Sequence, residues 1–156
     1  DLLSRHIEVP APAPSTILPT VKVPTLLLVE DNAINLRILM TFAKKYKYPS
    51  ITAQNGQLAV QAFEEAHIDS TVLHKSEIGM PSIILMDINM PVMDGYEAVQ
   101  RIRAYERKHR LVASKIIAVT ALQSEAAQVE AFGSGFDLFL SKPIKMKELA
   151  KLLEAF

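Results

Sequence analysis

The chain has 156 residues, 49% hydrophobic and 22% charged, the composition of a soluble globular domain with room for one full-sized core. Seventeen basic residues against seventeen acidic ones leave no net field to draw it to nucleic acid or an anionic membrane, and its short apolar runs fall far below the ~20 residues that cross a bilayer. The lack of cysteine excludes disulfides, thiolate metal sites and cysteine nucleophiles, and fits a cytoplasmic setting.

Residues 1–24 are punctuated by Pro10, Pro12, Pro14, Pro19 and Pro24 and show neither helical nor strand periodicity. The alternation from Pro10 to Pro14 favours extended polyproline backbone, so this segment reads as a semi-rigid linker. A first residue that is Asp rather than Met reads as a piece of a longer chain.

From Thr25 onward short apolar runs alternate with longer amphipathic ones. Thr25 to Val29 is a buried-strand run, followed by a helix from about Asn32 to Lys47 with Ile38, Leu39, Phe42, Ala43 and Tyr46 on one face and Asn32 as its cap. Ser50 to Ala53 is a short strand, and Asn55-Gly56 turns the chain into a helix carrying Ala59, Ala62, Phe63 and Ala66 at helical spacing. Ser82 to Met86, Lys115 to Val119 and Asp137 to Leu140 are further strands. Three more helices are expected: Tyr96 to Arg107 with a Glu97/Arg101 pair, Ser124 to Phe132 closed by Gly133, and Lys145 to Phe156 with Met146, Leu149, Leu153 and Phe156 on one stripe. Five strands alternating with five helices require right-handed βαβ crossovers and a parallel sheet covered on both faces, an α/β fold. Ligands in such sheets bind outside the carboxyl ends of the strands, where the strand order reverses.

Three strands end in groups suited to metal or phosphoryl chemistry: Glu30 and Asp31 after the first, Asp87 after the third and Lys142 after the fifth, while Thr120 closes the fourth. Taken singly each has a plain structural reading, as cap, turn, strand end or solvated charge. Together, three carboxylates at one edge repel, and a hard cation such as Mg²⁺ offsets that repulsion through oxygen ligands. Asp87 would then be a nucleophile toward phosphorus, with Lys142 and Thr120 stabilising charge on the phosphoryl oxygens.

The segments Val29-Glu30-Asp31-Asn32, Met86-Asp87-Ile88-Asn89-Met90-Pro91-Val92-Met93-Asp94-Gly95, Val119-Thr120-Ala121 and Ser141-Lys142-Pro143 resemble, in order, the four signatures of response-regulator receiver domains. The resemblance covers Thr25 to Phe156 and is greatest to receivers of hybrid histidine kinases. It implies a doubly wound, flavodoxin-like five-stranded sheet in the order 2-1-3-4-5. It also implies phosphorylation of Asp87, Mg²⁺ held by Asp31, Asp87 and the Asn89 backbone carbonyl with Glu30 assisting through water, and contacts from Thr120 and Lys142 to the phosphoryl group. Phe139 resembles the family's switch aromatic, and Lys142-Pro143 its cis peptide. A histidine kinase or histidine phosphotransfer domain is the implied donor, self-catalysed phosphorylation and dephosphorylation the implied activity, and a homodimer through the fourth helix, fifth strand and fifth helix a candidate assembly. No nucleic-acid or membrane contact is expected of this domain.

The chain departs from that family in one place. The Asp31-to-Asp87 spacing is longer than usual, and the surplus between His67 and Pro81 reads as an added surface loop, whose His67 and His74, seven apart, read as scattered surface histidines in preference to a metal-binding pair. Other functions fit less well. An aspartate phosphatase of the haloacid-dehalogenase type needs an acid two residues after its nucleophile, where Asn89 stands. A flavodoxin-like cofactor carrier needs glycine or hydroxyl donors where Asp31-Asn32-Ala33 stands, and no glycine-rich ATP lid of a histidine kinase core is present.

Overall fold

A computed structural model describes residues 23–72, 79–121 and 123–156, so the linker reading of the first residues and His74 lie outside the described residues. The elements alternate strictly: β1 Thr25–Val29, α1 Ala33–Lys45, β2 Ser50–Ala53, α2 Gly56–Val72, β3 Pro81–Met86, α3 Gly95–Lys108, β4 Lys115–Thr120, α4 Glu125–Ser134, β5 Leu138–Ser141 and α5 Met146–Glu154. All four strand pairings are parallel, in the order β2-β1-β3-β4-β5. The chain therefore moves outward from β1 to β2, then crosses back over β1 to lay down β3. The switch point lies between β1 and β3, and Glu30, Asp31 and Asp87 follow those two strands directly.

The strands are apolar on both faces, as a parallel sheet covered twice demands. Leu27, Val29, Ile84, Met86, Ile116 and Ala118 point into one core with Ala59, Phe63, Val99 and Ile102 of α2 and α3 and Ala131 of α4. Their neighbours Leu26, Leu28, Ile83, Leu85, Ile117 and Val119 point into the other, with Leu36, Leu39 and Phe42 of α1 and Leu149 and Leu153 of α5.

Local chemistry sets the helix starts. The Asn32 side chain accepts from the Ile34 and Asn35 amides, Asp94 from Glu97 and Ser124 from Ala127, each satisfying amides that the first turn leaves orphaned. Five expectations are corrected. Ile38 belongs to the outer flank of α1, 42% exposed, and Leu36 takes its place in the core. Phe156 lies past the end of α5, half exposed, with the Lys115 ammonium 5.9 Å from its ring centre. Helix α4 runs through Gly133 to Ser134 and is capped by Gly135 at φ +123°, a conformation a side chain strains to adopt. The added segment after His67 is not all loop, since α2 continues to Val72.

Asp137, read as the first residue of the last strand, instead precedes it and uses its carboxylate. Its Oδ2 accepts from the Ile116 amide at 2.9 Å and from Arg103 at 2.7 Å. Arg103 also donates to the Gly135 carbonyl, the Ser114 carbonyl and the buried Glu106 carboxylate, whose other oxygen takes the amide and hydroxyl of Ser114. This clasp ties α3, the end of α4 and the starts of β4 and β5 together. Replacing Glu106 with Ala leaves one Arg103 N–H and the amide and hydroxyl of Ser114 without their acceptor, while Asp137 still pairs the guanidinium, at an expected cost of about 1–3 kcal/mol. Urea unfolding should register that loss, with Glu106→Gln retaining more of the stability than Glu106→Ala.

Candidate functional site

Each acidic group is held at the carboxyl edge by a backbone anchor. The Glu30 amide donates to the Ala53 carbonyl at 3.1 Å and the Asp87 amide to the Val29 carbonyl at 3.0 Å, so both residues are fixed by the strand beside them. Carboxylate atoms of Glu30, Asp31 and Asp87 lie within 4.8 Å of one another. Glu30 and Asp87 are buried, whereas Asp31 is open to solvent. At an effective dielectric of 20, two unit charges at that spacing repel by roughly 3–4 kcal/mol, so the buried Glu30/Asp87 pair needs a compensating cation.

Lys142 supplies one. Its ammonium lies 2.7 Å from Glu30 Oε2 and 3.2 Å from Asp87 Oδ2. Its backbone amide is held by the Thr120 carbonyl, and the Lys142-Pro143 peptide is cis. Glu30 Oε1 accepts in turn from the Asn32 amide. Burial raises the Glu30 pKa above its usual value; the hydrogen bond from Lys142 opposes this and the Asp87 charge adds to it. For Lys142, burial works against the charged form, but the hydrogen bond to Glu30 and the negative charges of Asp87 and Glu30 outweigh it and raise the pKa.

The remaining site residues come into place around this triad. Thr120 is buried at the end of β4, one strand over from Asp87. The Asn89 amide donates to Asp87 Oδ1 at 3.3 Å, turning the chain after β3 across the pocket. Phe139 is half-buried on β5 and packs against the core shared by α2, α3 and α4.

Two glycines hold the loop that carries Asp87 and Asn89. A Cβ on Gly56 would stand 2.3 Å from the Met93 carbonyl oxygen, and one on Gly95 would stand 2.5 Å from the Asp87 carbonyl oxygen. Gly56 donates its amide to Met93, and Gly95 to Ile88. Between them Val92 and Met93 adopt left-handed φ of 55° and 80°, strained for a β-branched residue. Sequence reasoning saw Gly56 and Gly95 only as a turn and part of a signature. The contact of Gly56 with Met93 joins segments far apart in sequence and left no local signal, whereas Gly95 folds back on Asp87 and Ile88 within the signature itself.

Sequence reasoning also missed an apolar groove of about 340 Å³ beside the triad, lined by Glu30, Asn35, Ile38, Leu39, Lys142, Pro143 and Ile144. Ile38 is its signal: an isoleucine assigned to the core that instead faces outward.

A family model described as response regulator receiver domain matches residues 26–154. The chain belongs to the response regulator receiver family. Hybrid signal transduction histidine kinase M of Dictyostelium discoideum is 35% identical over 83% of this chain and 5% of its own length. The osmolarity two-component protein SSK1 of Saccharomyces cerevisiae is 31% identical over 81% of this chain and 19% of its own. The chain thus spans a small part of these curated relatives. Among solved structures, the yeast Ssk1 receiver, co-crystallised with the histidine phosphotransfer protein Ypd1, superposes with a TM-score of 0.71 at 33% identity, covering 84% of this chain and 86% of that one. The receiver of sensor histidine kinase PA1611 from Pseudomonas aeruginosa, which has a magnesium ion coordinated in its cleft, gives 0.64 at 30% identity, covering 86% and 97%.

The raised Lys142 pKa has a definite sign. Stability from its charge is present below the unfolded-state value near 10.5 and is lost as pH climbs through the higher folded value. Tyr96 and Tyr105, also raised by burial, titrate in the same alkaline range. The difference between parent and Lys142→Met therefore isolates the lysine: the parent's urea midpoint should fall more steeply than the variant's as pH climbs through that range.

Proposed function

We propose that this receiver accepts a phosphoryl group on Asp87 from a phosphohistidine of a partner domain and transmits the event through its fourth helix and fifth strand. The observation that carries this reading is the triad: a buried carboxylate at the switch point within 3.2 Å of a lysine that is also paired with a second acid. In the transfer, the N–P bond of the phosphohistidine breaks as an O–P bond forms to Asp87, and the imidazole leaves with the electron pair. The three carboxylates within 4.8 Å, one of them exposed, suit a hard cation that keeps several waters. Asp31, Asp87 and the Asn89 carbonyl would hold Mg²⁺, with Glu30 acting through water. When bound, the ion neutralises charge on the phosphoryl oxygens. Lys142 exchanges part of its pairing with Glu30 and Asp87 for the phosphoryl group, and the Thr120 hydroxyl donates to it.

The groove at Ile38 and Ile144, continuous with the exposed Ile34 of α1, supports docking of a phosphohistidine-bearing helix beside Asp87. The Ssk1 receiver, crystallised with a phosphotransfer protein, supports the same class of partner. A cytoplasmic location, a hybrid histidine kinase as parent chain, a linker role for residues 1–24 and a homodimer through α4, β5 and α5 belong to this reading. Asn89, in place of an acid two residues after Asp87, disfavours ester turnover.

Intact-mass analysis after acetyl phosphate or a phosphorylated histidine domain should show the parent gaining one phosphoryl group and Asp87→Asn none. A variant labelled with the usual acid and base lability of an acyl phosphate would reject Asp87 as the acceptor. The signal itself has a separate test. Movement of Thr120 toward the phosphoryl group vacates space behind β4 that Phe139 fills, a two-state shift for which a few kcal/mol suffices. Nuclear magnetic resonance spectra with beryllofluoride should therefore shift at Thr120, Phe139 and α4. Changes confined to Asp31, Asp87 and Lys142 would mean a phosphate site that sends no signal.

A further inference from the structure

At the end of the sheet opposite Asp87, where α2 and α3 finish and the chain enters β3, three side chains with soft or borderline metal-binding atoms meet. His67 of α2 is half-buried, with Nδ1 3.2 Å from the Met80 thioether sulfur. His109, the residue that caps α3, has its ring centre 5.5 Å from that of His67, the two planes inclined at 51°. Tyr105, one turn earlier on α3, orients both imidazoles: its ring centre is 4.1 Å from His109 and 5.6 Å, edge-on, from His67. Phe63 of the core backs Tyr105 in another edge contact, so the group is anchored to the packed interior.

The His67–His109 and His67–Met80 separations are those of ligands around one ion. With metal–nitrogen bonds of ~2.0 Å, two imidazoles on one metal at open angles have ring centres roughly 5–5.5 Å apart. A nitrogen and a sulfur bound at ~2.0 and ~2.3 Å are themselves roughly 3–3.5 Å apart. We propose that His67, His109 and Met80 form a site for a single soft monovalent cation of the copper(I) class. The donors select the class. None of the three side chains brings an anionic ligand, and a thioether is a poor ligand for Mg²⁺ or Ca²⁺ but a good one for copper(I), which accepts three ligands of mixed nitrogen and sulfur. Among the described residues, the one cluster of three acidic or histidine ligands is the carboxylate pocket at the other end. Ligand hardness thus separates two metal chemistries on one domain, oxygen at the phosphoacceptor edge and nitrogen with sulfur at the far edge. Binding joins three stretches of chain: the α2 flank, the end of α3 and the residues leading into β3.

The site is tested on the full chain, reduced and anaerobic, with Mg²⁺ present throughout so that the acidic pocket does not compete. Copper(I) is titrated against the chromogenic chelator bicinchoninate. One equivalent should be withdrawn from the chelator, and X-ray absorption should show one sulfur neighbour at ~2.3 Å. His109→Ala and Met80→Leu should each weaken binding by at least the 10–100-fold typical of losing even an outer partner of a metal site, and Met80→Leu should remove the sulfur signal. His109 is exposed, so His109→Ala keeps the fold, which circular dichroism verifies. Failure of the parent to compete with the chelator, or binding by folded His109→Ala as tight as the parent's, overturns the proposal.

Discussion

Charge balance at the switch point is the constraint on which the rest of the structure depends. Parallel strands β1 and β3 deliver Glu30, Asp31 and Asp87 to one crevice, and burial removes the water that would otherwise screen two of them. A carboxylate so placed must be protonated, paired or metal-bound. Lys142 answers the need from across the sheet: β5 lies two strands beyond β3, and the long side chain that follows it spans the gap to Glu30 and Asp87. The lysine bonds Glu30 more closely than Asp87, which leaves Asp87 with the looser of the two pairings. One group thereby holds both buried acids of the pocket together.

A second network fixes the far end of the sheet. The Arg103 clasp fastens the far end of α4 through Gly135 and the base of β4 and β5 through Ser114 and Asp137. Its guanidinium fork satisfies four acceptors on separate segments, which a lysine's point charge does not reproduce. Helix α4 is therefore pinned at its carboxyl end.

Much of this was legible in the sequence. Strand runs, the Asn32 cap and the acidic and basic residues at strand ends are local signals, and local signals survive without tertiary context. What escaped was set by packing at a distance. The outward turn of Ile38 depends on a groove completed by Pro143 and Ile144, and the role of Asp137 depends on Arg103 reaching it from another helix. Gly133 was taken as a helix stop, but the left-handed residue is Gly135, two positions on, where the chain must turn past Arg103. Likewise His67 and His109 stand far apart in sequence, and only the pairing of α2 with α3 brings their rings together.

The loop after β3 is gripped by main chain rather than by side chains. Gly56 and Gly95 meet carbonyls of Met93 and Asp87 directly, and Val92, in the middle of that grip, is 63% exposed. The identity of an outward-facing side chain there is thus decoupled from the position of the chemistry beneath it. A lineage or a designer could redraw the rim around Asp87, and the carboxylate pocket beneath would not register the edit, provided the two glycines remained.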